Sequence, residues 1–254
     1  MKITIITVCF NSEQTIGDTL ASVDAQTYPD IEHLIIDGAS RDRTLEIIAA
    51  YAQPWRHVLS ERDQGIYDAM NKGLALATGD VIGILNSDDI YAHDEVIAQV
   101  VSSMQDTGRD CCFADLVYTD DLQSEKVLRY YSSKSFDISK FEYGWMPAHP
   151  TVFIRSWAYK KYGLFRTDFK IAADFELMVR FLAIHHLTYV HIPEIWVKMR
   201  LGGISTAGFS NTLILNQEIV RACKDNGIST NLFKVTSKYF TKIFELTSRF
   251  KFND

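Results

Sequence analysis

The sequence predicts an α/β fold: a mostly parallel central sheet flanked by helices, with a helical extension at the C-terminal end. Three observations carry this expectation. β-branched runs alternate with amphipathic stretches through the first hundred residues, the pattern of βαβ units. Four successive strand ends each deliver polar or acidic groups. The chain has 254 residues, of which 47% are hydrophobic, enough for one substantial core without disulfide or metal staples.

The elements follow in order. Residues 3–8 are a β-branched run and read as a buried strand. Ser12 is placed to cap a helix whose Ile16, Leu20 and Val23 share one face. Residues 33–37 form a second strand, and Asp42 caps a helix carrying Leu45, Ile48 and Ala49. Residues 55–60 are a third strand, and residues 66–78 are helical on the Met70, Leu74, Ala77 spacing. Residues 80–85 make the fourth strand and 94–104 another helix. Crossovers of this kind place helices on both sheet faces.

The second half is less regular. Residues 112–118 and 126–131 read as strands around a polar turn, and 132–145 as a long loop. A strand at 151–155 leads into a helix at 156–162. Phe175, Met178, Val179 and Leu182 make one face of a helix over 173–186. Residues 189–192 and 195–199 are short strands. Gly202 and Gly203 interrupt the pattern, and helices over 211–225 and 232–249 close the chain. The four cysteines have no zinc-ligand spacing, and Cys111 and Cys112 are adjacent, so reduced thiols are expected.

Charge narrows the function. Lys and Arg number 26 against 32 Asp and Glu, a net charge of −6. A whole-chain nucleic-acid binder shows a basic balance instead. The N-terminal run lacks a signal-peptide pattern, and no apolar run approaches the about 18 residues that span a bilayer. A cytoplasmic protein is expected, or one peripheral to the inner face of the plasma membrane.

Ligands of parallel sheets bind beyond the carboxyl ends of the strands. The groups standing there are Thr7, Cys9 and Asn11; Asp37, Gly38, Ser40 and Asp42; Glu61, Arg62 and Asp63; and Asn86, Ser87, Asp88 and Asp89. Clustered carboxylates repel one another, and a bound cation relieves this. Asp88 and Asp89 are oxygen ligands of the type that suits Mg²⁺ or Mn²⁺; alternatively, one of them caps the following helix. Asp37 at its strand end could accept from a base N–H or ribose hydroxyls. Lys72, on the helix opened by Gly65, could reach a phosphate. No Walker loop or G-x-G-x-x-G is present, so a metal would have to hold phosphates.

These motifs resemble the family 2 inverting glycosyltransferases of bacteria over about residues 1–206. The resemblance rests on Thr7-Val8-Cys9-Phe10-Asn11, Asp37-Gly38-Ala39-Ser40 with Asp42 and Thr44, Asp63-Gln64-Gly65, Asn71-Lys72-Gly73, Gly79-Asp80 and Asn86-Ser87-Asp88-Asp89. It implies a GT-A (Rossmann-like) fold and a nucleotide-sugar donor, expected to be a UDP-sugar. It also implies a divalent metal, Mn²⁺ or Mg²⁺, at a D-x-D-type motif. The nearest likeness is to enzymes of surface-polysaccharide synthesis, whose acceptors are glycans or polyprenyl-linked sugars. By this resemblance Thr7, Asn11, Asp37, Asp63, Lys72, Asn86 and Arg200 are donor-binding, and Asp88 and Asp89 hold the metal. Asn86 departs from the pattern by bringing an amide where an Asp is usual.

The resemblance also supplies a general base. The matching segment, residues 171–176, gives Asp174; Glu176 points about 200° away on a helix and is a lesser, acceptor-side candidate. His149, just before a strand, is placed at the acceptor edge of the cleft. Arg200 could meet a diphosphate bidentately, with Gly202 and Gly203 as a hinge. Residues 207–254 then form a separate extension after a catalytic unit of 1–206. Within it, 231–254 carries five basic and two acidic residues, +3 against −9 for the rest, and is rich in aromatics. Such a segment can lie on a membrane or meet a second copy of the chain. Two alternatives are a sugar nucleotidyltransferase, which needs a glycine-rich basic loop absent here, and a non-catalytic nucleotide-sugar-binding or scaffolding subunit.

Overall fold

A nine-stranded sheet organises the computed structural model, which describes residues 1–120, 126–200 and 209–237. The strands are β1 (Ile3–Cys9), β2 (Ile31–Asp37), β3 (Arg56–Ser60), β4 (Val81–Ile84), β5 (Asp89–Tyr91), β6 (Cys111–Thr119), β7 (Val127–Tyr131), β8 (Phe153–Arg155) and β9 (Tyr189–Arg200). Their order is β3-β2-β1-β4-β8-β6-β9-β5, with β7 paired to β6. The first four are mutually parallel. β8 then joins β4 antiparallel, and β6 and β9 run parallel to each other.

The helices are α1 (Ile16–Asp24), α2 (Thr44–Ala50), α3 (Ile66–Leu76), α4 (Val96–Thr107), α5 (Ser156–Tyr162), α6 (Ala173–Met178) and α7 (Phe209–Asp225). α6 continues as a wider π turn over Val179–Ile184. Every residue of β1 and β2 is buried, as expected for strands covered on both faces. Ile6 and Val8 pack with Met70 and Leu74 of α3 and with Phe175 beyond. Ile3 and Ile5 face the other layer, with Val96, Val100 and Met104 of α4.

Several expectations are corrected. Ser12 does not cap α1 through its side chain, because its hydroxyl lies against Ser87 at 3.0 Å. Asp42 does accept the Thr44 N–H, at 3.0 Å, but Leu45 and Ala49 face solvent and Ile48 alone of that trio is buried. The stretch 132–145 contains a 3₁₀ helix, Ile138–Tyr143. The two short strands after residue 188 are one continuous strand, β9. β5, only three residues long, was not expected and exists through its pairing with β9.

All four cysteines are buried and none is in a disulfide. Among the described residues no helix is long and apolar enough to cross a membrane. The Gly202-Gly203 hinge and residues 238–254 of the expected tail lie outside the described residues.

Candidate active site

Two joined depressions open above the carboxyl ends of β1 to β4. The smaller, of about 510 Å³, is lined by Phe10, Asn11, Gly38, Ala39, Arg41, Arg62 and Asp63. The larger, of about 790 Å³, shares Phe10, Asn11 and Asp63 and extends past Asn86 and Asp88 to His149 and Asp174. One continuous cleft therefore gathers Asn11, Asp63, Asn86, Asp88, His149 and Asp174 from five separate stretches of sequence.

The smaller depression is built by the turns after β1 and β2. Asn11 and Ala39 both adopt positive φ, +49° and +62°, an uncommon conformation for non-glycine residues that the surroundings must hold. The Arg41 N–H donates to Asn11 Oδ1 at 2.9 Å, and the Asn11 N–H to Ser40 Oγ at 2.8 Å, which ties the two turns together. Gly38 lies so close to Asp63 that a Cβ would stand 2.6 Å from its Oδ2. Asp63 accepts the Gly65 N–H at 2.9 Å through Oδ1.

Asp37 does not face either depression. It is fully buried, and its carboxylate accepts the Ser40 N–H (3.1 Å), the Ser40 hydroxyl (2.5 Å) and the Ser60 hydroxyl (2.6 Å). Its work is to shape the turn that presents Gly38 and Ala39, which corrects the expected contact with base or ribose. Thr7 is likewise buried, with its hydroxyl on His33 at 2.9 Å. Lys72 is held by Glu61 at 2.8 Å and by the Arg62 carbonyl at 2.7 Å, and does not line the cleft.

At the end of β4 the neighbouring carboxylates part company. Asp88 lines the cleft, and burial raises its carboxyl above the ordinary range against the opposing charge of Arg200. Asp89 begins β5 and turns inward to full burial, which pushes its carboxyl well up, with Asp88 adding to this. Asp88 stands in the turn before β5, whereas Asp89 is already in the strand and fully buried. This corrects Asp89 as a cleft-facing ligand. Arg200, at the end of β9, pairs with Asp18 and does not line the cleft.

Among the described residues, four buried side-chain atoms lack a hydrogen-bond partner: Asn86 Oδ1, Asp89 Oδ1, Thr119 Oγ1 and Arg200 Nε. All lie at the ends of β4, β5, β6 and β9, where such groups cost desolvation without return. No group of three His, Cys, Asp or Glu side chains is placed to hold a metal among the described residues. The cleft-facing Asp88 carboxylate and the unpartnered Asn86 oxygen are nevertheless hard oxygen donors. They fit a Mg²⁺ or Mn²⁺ ion completed by substrate oxygens.

Asp174 lines the same cleft from the first turn of α6. Its carboxylate accepts the Phe175 N–H at 2.8 Å and lies 3.4 Å from the Tyr67 hydroxyl. Burial raises its carboxyl, and His149 opposes this. His149, in the short turn His149–Thr151, is pushed down by burial and packs edge-on against Phe165 at 6.0 Å. Glu176 faces away, 2% exposed, in an ion pair with Arg180 at 3.0 Å, which removes it from the acceptor side. Sequence reasoning missed Tyr67, Tyr118, Tyr131 and Lys170, which also line the cleft. Their spacing carries no signal, since tertiary packing alone brings them there.

The fold is that of the GT-A glycosyltransferases, and the chain belongs to glycosyl transferase family 2, whose model matches residues 4–165. An uncharacterised glycosyltransferase of Mycobacterium tuberculosis is 33% identical over 180 residues, 70% of this chain and 68% of that one. A PGL/p-HBAD biosynthesis glycosyltransferase of Mycobacterium bovis is 26% identical over 242 residues, 94% and 91% of the two chains. S. aureus TarS 1-349, solved with UDP-GlcNAc, aligns with TM-score 0.69 at 17% identity, covering 90% of this chain and 68% of that one; this chain covers 41% of the longer TarS chain. The mannosyltransferase PcManGT of Pyrobaculum calidifontis, solved with GDP-Man and Mn²⁺, gives 0.67 at 20% identity, covering 88% and 63%.

Proposed function

We propose that this protein is an inverting glycosyltransferase that moves a sugar from a UDP-sugar to a hydroxyl of a glycan or lipid-linked acceptor in cell-surface polysaccharide synthesis. The observation that carries the reading is the single cleft lined together by Asp63, Asn86, Asp88 and Asp174. The donor's base sits in the smaller depression between Phe10 and Asp63. Asp174 takes the proton from the acceptor hydroxyl as its oxygen bonds to the anomeric carbon. The bond from that carbon to the diphosphate breaks on the opposite side, so the configuration inverts and the nucleoside diphosphate leaves.

Asp88 and Asn86 would hold a divalent cation, which offsets charge on the leaving diphosphate when bound. The Phe175 N–H, donating at 2.8 Å, favours the ionised form of Asp174. TarS and PcManGT, solved with a UDP-sugar and with GDP-Man and Mn²⁺, support a nucleotide-sugar donor and a metal. Calorimetric titration with a panel of nucleotide sugars, with and without Mn²⁺, tests donor and metal together. Absence of binding by every UDP-sugar would reject the donor assignment.

Contact of residues 231–254 with the inner face of the plasma membrane belongs to the same proposal. Phe233 is 80% exposed, although Lys234 is held by Glu142 at 2.8 Å. Deleting 231–254 should release the protein from anionic vesicles, and unchanged vesicle binding rejects that contact.

A further inference from the structure

The segment that carries Asp174 is gripped from two sides. On one side Glu218, from the middle of α7, accepts three consecutive backbone N–H groups: Lys170 at 2.7 Å, Ile171 at 2.9 Å and Ala172 at 3.0 Å. On the other, the Tyr67 hydroxyl of α3 donates to the Ile171 carbonyl at 2.5 Å and lies 3.4 Å from Asp174 Oδ1. The Ile171 residue is thus held by both its N–H and its C=O, three positions before Asp174.

Each grip is itself fixed. Tyr67 stacks on Phe165 with ring centres 5.8 Å apart. The Asn71 side chain pairs with both backbone groups of Phe165, at 2.9 Å each, which gives that amide a role the sequence left open. From α7, Arg221 pairs with Asp168, while Asp225 meets Arg166 at 2.7 Å. The guanidinium groups of Arg166 and Arg221 lie 4.7 and 4.5 Å from the ring centre of the buried Phe169. α7 also buries Ile219, Ala222 and Cys223 in the same core as Phe175.

We propose that Glu218 and Tyr67 are positioning residues for Asp174, so that α7, which lies beyond the stretch matched by the family model, is a working part of the catalytic unit. The proposal rests on Asp174 being the general base. A carboxylate that must meet an acceptor hydroxyl in line with a leaving group tolerates little displacement, and about 1 Å of misplacement can cost on the order of 10²-fold in rate. Three N–H groups converging on one carboxylate fix the backbone more firmly than one bond could. Gln in place of Glu218 keeps the shape but turns an N–H₂ group toward those donors.

The test uses the full chain and variants Glu218→Gln, Glu218→Asp, Tyr67→Phe and Asp174→Asn. UDP binding is measured by calorimetry, and UDP release from UDP-GlcNAc, UDP-glucose and UDP-galactose is followed with water as acceptor across pH. In parallel, the Asp174 carboxyl is titrated by ¹³C NMR, its signal assigned by its loss in Asp174→Asn. Around Asp174 stand His149, Tyr67 and Tyr131 on the cleft side, with Glu218 behind the preceding loop. Glu218→Gln and Tyr67→Phe should bind UDP within about twofold of wild type and lose about tenfold or more in kcat. Tyr67→Phe removes the hydroxyl whose proximity at 3.4 Å favours the ionised carboxylate, so the acid limb of kcat and the NMR midpoint both move to higher pH. Glu218→Asp, which keeps the carboxylate on a shorter stem, should recover part of the rate.

Wild-type kcat and an unmoved Asp174 titration in both Glu218→Gln and Tyr67→Phe, with Asp174→Asn inactive, would overturn the positioning role and leave the base in place. Full activity in Asp174→Asn would remove the base assignment, and this proposal with it.

Discussion

At the residue scale the balance around Asp174 sets the expected pH behaviour. Burial raises its carboxyl above the usual value of about 3.9, while His149 and the Phe175 N–H act the other way. The rate should therefore fall as pH drops through a midpoint above the ordinary carboxylate range, measurable as the acid limb of kcat. The same raised value has a stability consequence. Between the unfolded and folded pKa the native state binds more protons, so stability declines as pH rises through that window. Asp174→Asn has no charge to bury and should be more stable than wild type at pH 7, read as a higher urea midpoint. A lower midpoint would mean that the carboxylate is a structural asset.

Single residues also mark where sequence reading succeeded and where it stopped. Asp63, Asn86 and Asp88 line the cleft as their strand-end positions suggested, and Asp174, which the family resemblance supplied, lines it as well. Asp37, Asp89, Thr7, Lys72 and Glu176 occupy equally suggestive positions. Their partners are Ser40 and Ser60, the Asn86 amide, His33, Glu61 and Arg180. Side-chain direction at a strand end depends on such partners and is invisible to spacing.

At the element scale α3 shows how closely helix and sheet are fitted. A Cβ on Gly73 would stand 2.5 Å from Ile6 Cγ2 in the all-buried β1. Alanine gains about 1 kcal/mol of intrinsic helix propensity over glycine. Overpacking a filled interface costs about 1–3 kcal/mol, and Ile6 has a stiff β-branched stem that cannot swing aside. Gly73→Ala should therefore be net destabilising, by up to about 2 kcal/mol in urea unfolding. A stabilised variant would show that the interface is looser than drawn.

α7 makes the second argument at this scale. The sequence placed a boundary at residue 206, because the recognised motifs end there. The contacts of Glu218, Arg221 and Asp225 with residues 166–172 join α7 to the segment that carries Asp174. A chain ending at residue 208 should lose cooperative unfolding or fold with a lowered midpoint. Equal stability to the full chain would restore the two-part reading.

At the scale of the whole molecule, the first four strands were legible and the later ones less so. β1 and β2 are seven-residue runs buried on both faces, long enough for their apolar character to register. The strand expected over 151–155 is present as the three-residue β8, paired with β4 and β6. β5, also three residues, was missed because it exists through pairing with β9 and is too short for a periodic signal. The acidic excess reads differently as well. Only part of the strand-end charge is offered to a ligand, since Asp37 and Asp89 are withdrawn into the protein. Asp88 with Asn86 would hold the proposed cation, whose charge would oppose the effect of burial on the Asp88 carboxyl. Mn²⁺ should tighten UDP binding about tenfold or more, and Asp88→Asn should abolish that enhancement while leaving metal-free binding nearly unchanged.

The central claim is that donor binding and proton abstraction share one cleft, with Asp174 as the base. The most direct measurement compares Asp174→Asn with wild type in sugar transfer or donor hydrolysis, with UDP-sugar affinity determined on the same preparations. The account predicts unchanged donor affinity and a rate lower by about 10²- to 10⁴-fold. A variant that binds donor normally and still turns over at the wild-type rate would contradict it.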